Sequence, residues 1–156
     1  MKIAIYPGTF DPITNGHVDI IKRARAVFDK VYVAIAQSET KKPMFSLEDR
    51  VKMVKLATKD IKEIEVISFC GLLVDCAKKN GARTIVRGLR AVSDFEYELQ
   101  IGYANASLDK DIDTIYLMPS LESAFISSTV VRDIYRHKGK ISHLIPKEIN
   151  DYVHNI

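Results

Sequence analysis

Four short stretches of this 156-residue chain combine residue types suited to phosphate chemistry. The first spans residues 6–17, Tyr-Pro-Gly-Thr-Phe-Asp-Pro-Ile-Thr-Asn-Gly-His, where two prolines and two glycines make a shaped connection. Gly16 allows close backbone approach, and His17 falls in the first turn of a following helix, among free N–H groups that attract anions. The positive end of that helix disfavours imidazolium, so a neutral His17 donating one hydrogen bond to a phosphoryl oxygen is expected. A tight turn capped locally by Thr9 and Thr14 is the plainer alternative. The spacing is neither GxGxxG nor GxxxxGK[ST], so neither the dinucleotide fingerprint nor the P-loop accounts for it.

Lys41 and Lys42 lie in the polar segment 37–45, either as mobile point charges for a phosphate or as a solvated pair. Residues 87–90, Arg-Gly-Leu-Arg, end a buried apolar run. Arginine grips phosphate with a bidentate fork, and Gly88 permits backbone contact; alternatively both arginines pair with carboxylates among Asp94, Glu96 and Glu98. Asp94 could cap the next helix, and Glu98 lies within reach of a ribose hydroxyl or an arginine. Residues 120–129 bring serines and a threonine to a helix start. One of Ser127 and Ser128 serves as an N-cap, which leaves other hydroxyls for an anion. Two helix starts, two arginines and a loop lysine provide for several phosphates. Nucleotidyl transfer needs cations and donors around an α-phosphate but no covalent intermediate. With a phosphate as acceptor it needs no general base either.

Such groups need a scaffold that gathers them. Apolar runs at residues 2–6, 31–36, 64–67, 84–86 and 114–117 read as buried strands. Between and after them, helical patterns occupy residues 16–28, 72–79, 94–108 and 129–137. A further helix is capped by Ser46, with Leu47, Val51, Val54 and Thr58 as its inner stripe, and Pro146 opens a last one. This alternation predicts an α/β fold: a doubly wound, five-stranded parallel sheet in one domain, residues 1–156, with C-terminal helices. Ligands in such folds sit beyond the carboxyl ends of the strands, so the loops after strands one, two, four and five should share a cleft. Strand order is not written in the pattern.

Twenty-three Lys and Arg against 20 Asp and Glu leave a net charge of +3, too mild for a dedicated duplex-DNA binder. An apolar content of 47% with 28% charged residues excludes disorder and fibrous repeats. The longest apolar runs are strand-length, and the first residues lack the pattern of a signal peptide, so neither a membrane partner nor export is expected. Cys70 and Cys76 form no CxxC, and the histidines have no zinc spacing, which fits reduced thiols in the cytoplasm. The aspartates form no evident cage for a resident metal. Phe10, Phe69, Phe95 and Phe125 read as core or cleft walls, since no basic stripe accompanies them to suit nucleic acid.

Taken together, the four motifs resemble those of the bacterial phosphopantetheine adenylyltransferases, a family of the nucleotidylyltransferase superfamily, across essentially the whole chain. The superfamily's HxGH element reads Thr14-Asn-Gly-His17, its ISSS element reads Ile126-Ser-Ser-Thr129, and Leu73 stands where the family often has Met. The resemblance implies a Rossmann-like enzyme of coenzyme A biosynthesis that moves AMP from ATP to 4'-phosphopantetheine, with Mg²⁺, giving dephospho-coenzyme A and pyrophosphate. It implies a homohexamer, with coenzyme A as a feedback inhibitor. It assigns Thr9, Lys41, Leu73 and Arg87 to phosphopantetheine, and His17 and Lys41 to catalysis. To ATP it assigns Thr9, Phe10, His17, Gly88, Leu89, Arg90, Glu98, Ser123, Ala124, Phe125, Ile126, Ser127, Ser128 and Thr129. The rival readings are a transferase acting on nicotinamide mononucleotide or glycerol 3-phosphate, and a non-catalytic nucleotide sensor or RNA-binding module.

Overall fold

The computed structural model describes every residue except Glu39 and Lys41, and only the backbone of Val92 and Ser93. Five strands, β1 (Ile3–Gly8), β2 (Lys30–Ala36), β3 (Ile64–Phe69), β4 (Thr84–Gly88) and β5 (Asp113–Leu117), form one sheet. Every pairing is parallel, in the order β3-β2-β1-β4-β5. The helices are α1 (Asn15–Val27), α2 (Leu47–Thr58), α3 (Leu73–Lys79), α4 (Val92–Leu108), α5 (Ser128–Arg136) and α6 (Lys147–His154).

The central strands β1 and β2 are largely apolar because both their faces are covered, whereas the edge strands β3 and β5, expected to be buried, expose Glu65, Ser68, Asp113 and Ile115. Alternate residues point to opposite sides: Val31, Val33 and Ile35 join Ile21, Met53 and Ile149 in one core. Ile5, Ala34 and Ile85 join Val74, Ala77 and Ile112 in a second. The chain winds outward from β1 to β3, then returns to lay β4 against the other side of β1. That reversal opens a crevice above the carboxyl ends of β1 and β4.

Several sequence expectations are corrected. In α2 the expected stripe holds, with Val54 and Thr58 buried and Leu47 and Val51 packed against the core, and it is wider than expected, because Arg50, Met53 and Ala57 are buried as well. Pro146 is the N-cap of α6 rather than its first helical residue. Asp94 caps nothing: Ala91 is the N-cap of α4 and makes no side-chain cap bond, and Asp94 lies inside the helix. Neither Phe95 nor Phe125 is a core residue, both being exposed. Tyr97, Tyr103 and Leu108 of α4 are exposed as well, and Glu98 is this helix's one buried residue among those described. No helix among the described residues is long and apolar enough to cross a membrane.

Candidate active site

The crevice holds a cleft of about 320 Å³ whose walls come from the β1–α1 turn, the end of β4, the start of α4 and the start of α5. At the β1 end, Phe10 adopts a left-handed backbone (φ 51°), an uncommon state for a bulky residue. Its buried ring packs edge-on against Tyr6 at 5.5 Å and against His17 at 4.9 Å. Gly8 gives the Phe10 ring room, since a Cβ at that position would sit 3.0 Å from it and the ring would have to shift.

His17 is locked by the start of its own helix. Thr14 is the N-cap, its hydroxyl accepting from the His17 N–H at 3.3 Å, while His17 Nδ1 accepts from the Thr14 N–H at 3.0 Å. This is a capping box with histidine in the place usually held by Glu or Gln. A backbone N–H can only donate, so Nδ1 carries no proton and Nε2 must be the donor. Burial, then the nearby Arg90 and Arg87, lower the His17 pKa from 6.5 to about 3. The arrangement favours the neutral donor expected from the sequence, with desolvation and two arginines disfavouring the imidazolium.

Arg87 grips Glu98 with both arms of its fork, Nε to Oε2 at 2.8 Å and Nη2 to Oε1 at 2.6 Å. Its third nitrogen donates to the Pro7 carbonyl at 3.0 Å. Burial opposes the Arg87 charge and Glu98 more than restores it, leaving the pKa above its ordinary value. Arg90 lies 3.5 Å from Asp94 and donates to the Ile126 carbonyl. Both arginines therefore pair with α4 carboxylates, as the plainer alternative had it, yet both also face the cleft. Glu98 meets an arginine.

On the far wall, Asp19 of α1 holds the Ser120 N–H at 2.6 Å and so ties α1 to the segment after β5. Ser127 is the N-cap of α5, accepting from the Val130 N–H. The Ser128 hydroxyl donates to the Pro12 carbonyl, and Thr129 accepts from Arg132. Ser123, Ile126, Ser127, Ser128 and Thr129 line the cleft with Thr9, Phe10, His17, Gly88, Arg90 and Glu98. Leu89, Ala124 and Phe125 are on the walls of neither cavity described here. Lys41 lies outside the described residues.

A second cavity of about 260 Å³ adjoins the first, sharing Pro7, Gly8, Thr9, Arg87 and Glu98. Its remaining walls are mostly apolar and include Leu73, Phe69, Ile101 and Gly102. Leu73, Thr9 and Arg87 thus come together as expected. Sequence reasoning missed Arg132 and Asp11, both on the first cleft's wall. Arg132 donates to the Asp11 carbonyl at 2.9 Å and lies 3.8 Å from its carboxylate. Its signal was available, because an arginine three residues after Thr129 shares that residue's helix face. No group of three or more His, Cys, Asp or Glu able to hold a metal occurs among the described residues. The first cleft's carboxylates, Asp11, Asp94 and Glu98, each face an arginine. Three guanidinium groups and one neutral imidazole donor around a shared cleft can hold a polyphosphate and stabilise charge at a phosphorus between them.

Fold and site define a nucleotidyltransferase, and residues 5–134 match the family described as cytidylyltransferase-like. A phosphopantetheine adenylyltransferase of Helicobacter hepaticus is 61% identical over 154 residues, 99% of this chain and 93% of that protein. The enzyme of that name from Nautilia profundicola is 66% identical over 146 residues, 94% of this chain and 95% of that protein. The one from Wolinella succinogenes is 61% identical over 152 residues, 97% of this chain and 94% of that protein. Within the cytidylyltransferase-like class, the chain belongs to the phosphopantetheine adenylyltransferase family.

Proposed function

We infer that this chain transfers AMP from ATP to the phosphate of 4'-phosphopantetheine, yielding dephospho-coenzyme A and pyrophosphate, a step of coenzyme A biosynthesis. The observation that carries this reading is the junction of a cationic cleft and a more apolar cavity at Thr9, Arg87 and Glu98. The nucleotide takes the first and the pantetheine arm lies along Leu73 in the second. The acceptor phosphate then sits at the junction, where it competes with Glu98 for the Arg87 fork. It attacks the α-phosphorus in line while pyrophosphate leaves toward Arg90, Arg132 and the first N–H groups of α5. His17 donates Nε2–H to the transferring phosphoryl group, and Lys41 adds a cation by the family resemblance. The nucleophile is already anionic and needs no base.

ATP enters as its Mg²⁺ complex. With the first cleft's carboxylates facing arginines, the phosphates themselves would supply the hard oxygen ligands the ion prefers. The role of Mg²⁺ is to neutralise charge on the leaving phosphates. Coenzyme A, sharing the pantetheine arm, competes for the same cavities. The chain works as one domain in the cytoplasm and as a homo-oligomer, a hexamer by resemblance. The exposed apolar residues of α4 support assembly, because a helix so apolar leaves its surface to be covered by another copy.

The deciding experiment follows pyrophosphate release with ATP alone, acceptor alone and both together. Parallel arms offer nicotinamide mononucleotide with ATP, and glycerol 3-phosphate with CTP. Release that requires ATP plus phosphopantetheine is expected. Preference for another acceptor, or binding without release, would overturn the reading.

A further inference from the structure

Arg50 is 2% exposed, in the first turn of α2, and lines neither cavity. A guanidinium is costly to bury, so its partners explain its presence. Nη1 donates to the Thr9 carbonyl at 2.8 Å and to the Ala36 carbonyl at 3.0 Å, and Nε donates to the Phe45 carbonyl at 3.2 Å. These acceptors belong to the β1–α1 turn, the end of β2 and the segment just before α2. Ala36 and Phe45 bracket the polar stretch 37–44, in which Lys41 stands by sequence. Asp11, 4% exposed, binds the same segment from the other side, accepting from the Met44 N–H at 2.8 Å and the Phe45 N–H at 2.9 Å.

We propose that Arg50, backed by Asp11, is a positioning residue for the acceptor side of the site. It sets the distance between the Thr9 turn and the segment entering α2. The proposal rests on the functional reading above for the identity of the acceptor. Its selectivity follows from where the bonds go. Thr9 and Ala36 both line the second cavity. By contrast, His17 is held by Thr14, Arg90 by Asp94 and Ile126, and Ser128 by Pro12. His17, Arg90 and Ser128 on the nucleotide side are thus fastened without Arg50. Thr9 is the one residue among these that borders both cavities, and its carbonyl is the one Arg50 holds most closely.

Lysine cannot replace this arrangement, because one ammonium on a flexible stem does not reproduce a planar fork reaching three carbonyls. In Arg50→Lys the KM for phosphopantetheine is expected to rise at least tenfold, while ATP affinity by titration stays within twofold of wild type. Amide exchange at Met44 and Phe45 should quicken tenfold or more, with the amides of α1 unchanged. Wild-type acceptor KM in a folded Arg50→Lys protein would overturn the proposal, as would equal losses toward ATP and acceptor. If Arg50→Lys loses its cooperative melt, Arg50→Gln, which keeps a planar amide donor without the charge, decides through the same constants. A threefold or larger acceptor-selective rise in KM supports the proposal and no rise overturns it. Should wild-type protein prefer a different acceptor phosphate, the functional reading falls. The selectivity of Arg50→Lys is then measured with that acceptor, and the exchange rates need no acceptor at all.

Discussion

His17 carries two separable loads, and two substitutions divide them. Its Nδ1 completes the α1 capping box, and its ring lines the cleft with Nε2 as its donor. Removing one N-terminal cap costs about 1 kcal/mol, which is a fall in Tm of roughly 2–4 °C for a chain of this size. Removing one donor to a developing phosphoryl charge costs about 2.7–4 kcal/mol, or roughly 10²–10³ in kcat. His17→Ala should therefore lose both, with ATP affinity changed by less than about threefold. His17→Gln restores the usual capping-box residue, so its Tm should return to wild type while kcat remains depressed. The pH dependence supplies an independent check. The unfolded chain binds the imidazole proton near the ordinary 6.5 and the folded chain only near 3. Folding therefore loses stability as pH falls across that interval and is insensitive to this group above it. The full loss approaches roughly 4 kcal/mol at the bottom of the interval. Steady-state kcat and urea melts from pH 4 to 8, on wild type and both variants, test each part. The reasoning is refuted if His17→Ala keeps kcat within threefold, if a wild-type kcat inflection near pH 6.5 disappears in the variants, or if the loss of urea stability below pH 6.5 persists unchanged in them.

Glu98→Gln removes the charge from the Arg87 pair, a partly buried bidentate contact. A loss of about 2–3 kcal/mol is expected, read as a Tm lower by roughly 4–12 °C, without weaker phosphopantetheine binding by titration. Leu73→Asn replaces apolar wall in the second cavity and should raise acceptor KM about tenfold, with ATP affinity unchanged, in initial-rate assays. Gly139→Ala would place a Cβ 2.5 Å from Ile134 Cγ2. A loss of about 1–3 kcal/mol in denaturant melts should follow with normal turnover, because the clash lies outside both cavities. Tyr103→Asp with Leu108→Asp charges the exposed α4 surface, where Tyr103 is 70% exposed. Light scattering should show the assembly reduced to smaller species, and an unchanged mass would exclude this face as the interface.

The alternation of strands and helices was legible because each signal is local. Val31, Val33 and Ile35 announce a buried strand, and Ser46 with Asp49 announces a helix start, whose hydroxyl accepts from the Asp49 N–H at 3.1 Å. The phosphate-binding residue types were legible in the same way. Arg50 was not, since a charged residue in an amphipathic helix reads as solvent-facing. Only carbonyls 5, 14 and 41 residues away draw it inside. The tautomer of His17 could not be read either until the Thr14 N–H was seen to donate to Nδ1. In α4 the signal pointed the wrong way, because Phe95 reads as core or cleft wall yet is exposed and lines neither cavity.

By itself, the sequence determined the element types, the parallel doubly wound class and the chemical character of the motifs. All of these depend on periodicity and burial among residues a few positions apart. Tertiary structure alone decided the strand order, the join between the two cavities and the pairing of Arg87 with Glu98. The crevice exists because β4 returns to the far side of β1, bringing Arg87 to the Pro7 carbonyl across 80 residues. Contacts at that separation are selected by the packing of the whole sheet, and no local pattern encodes them.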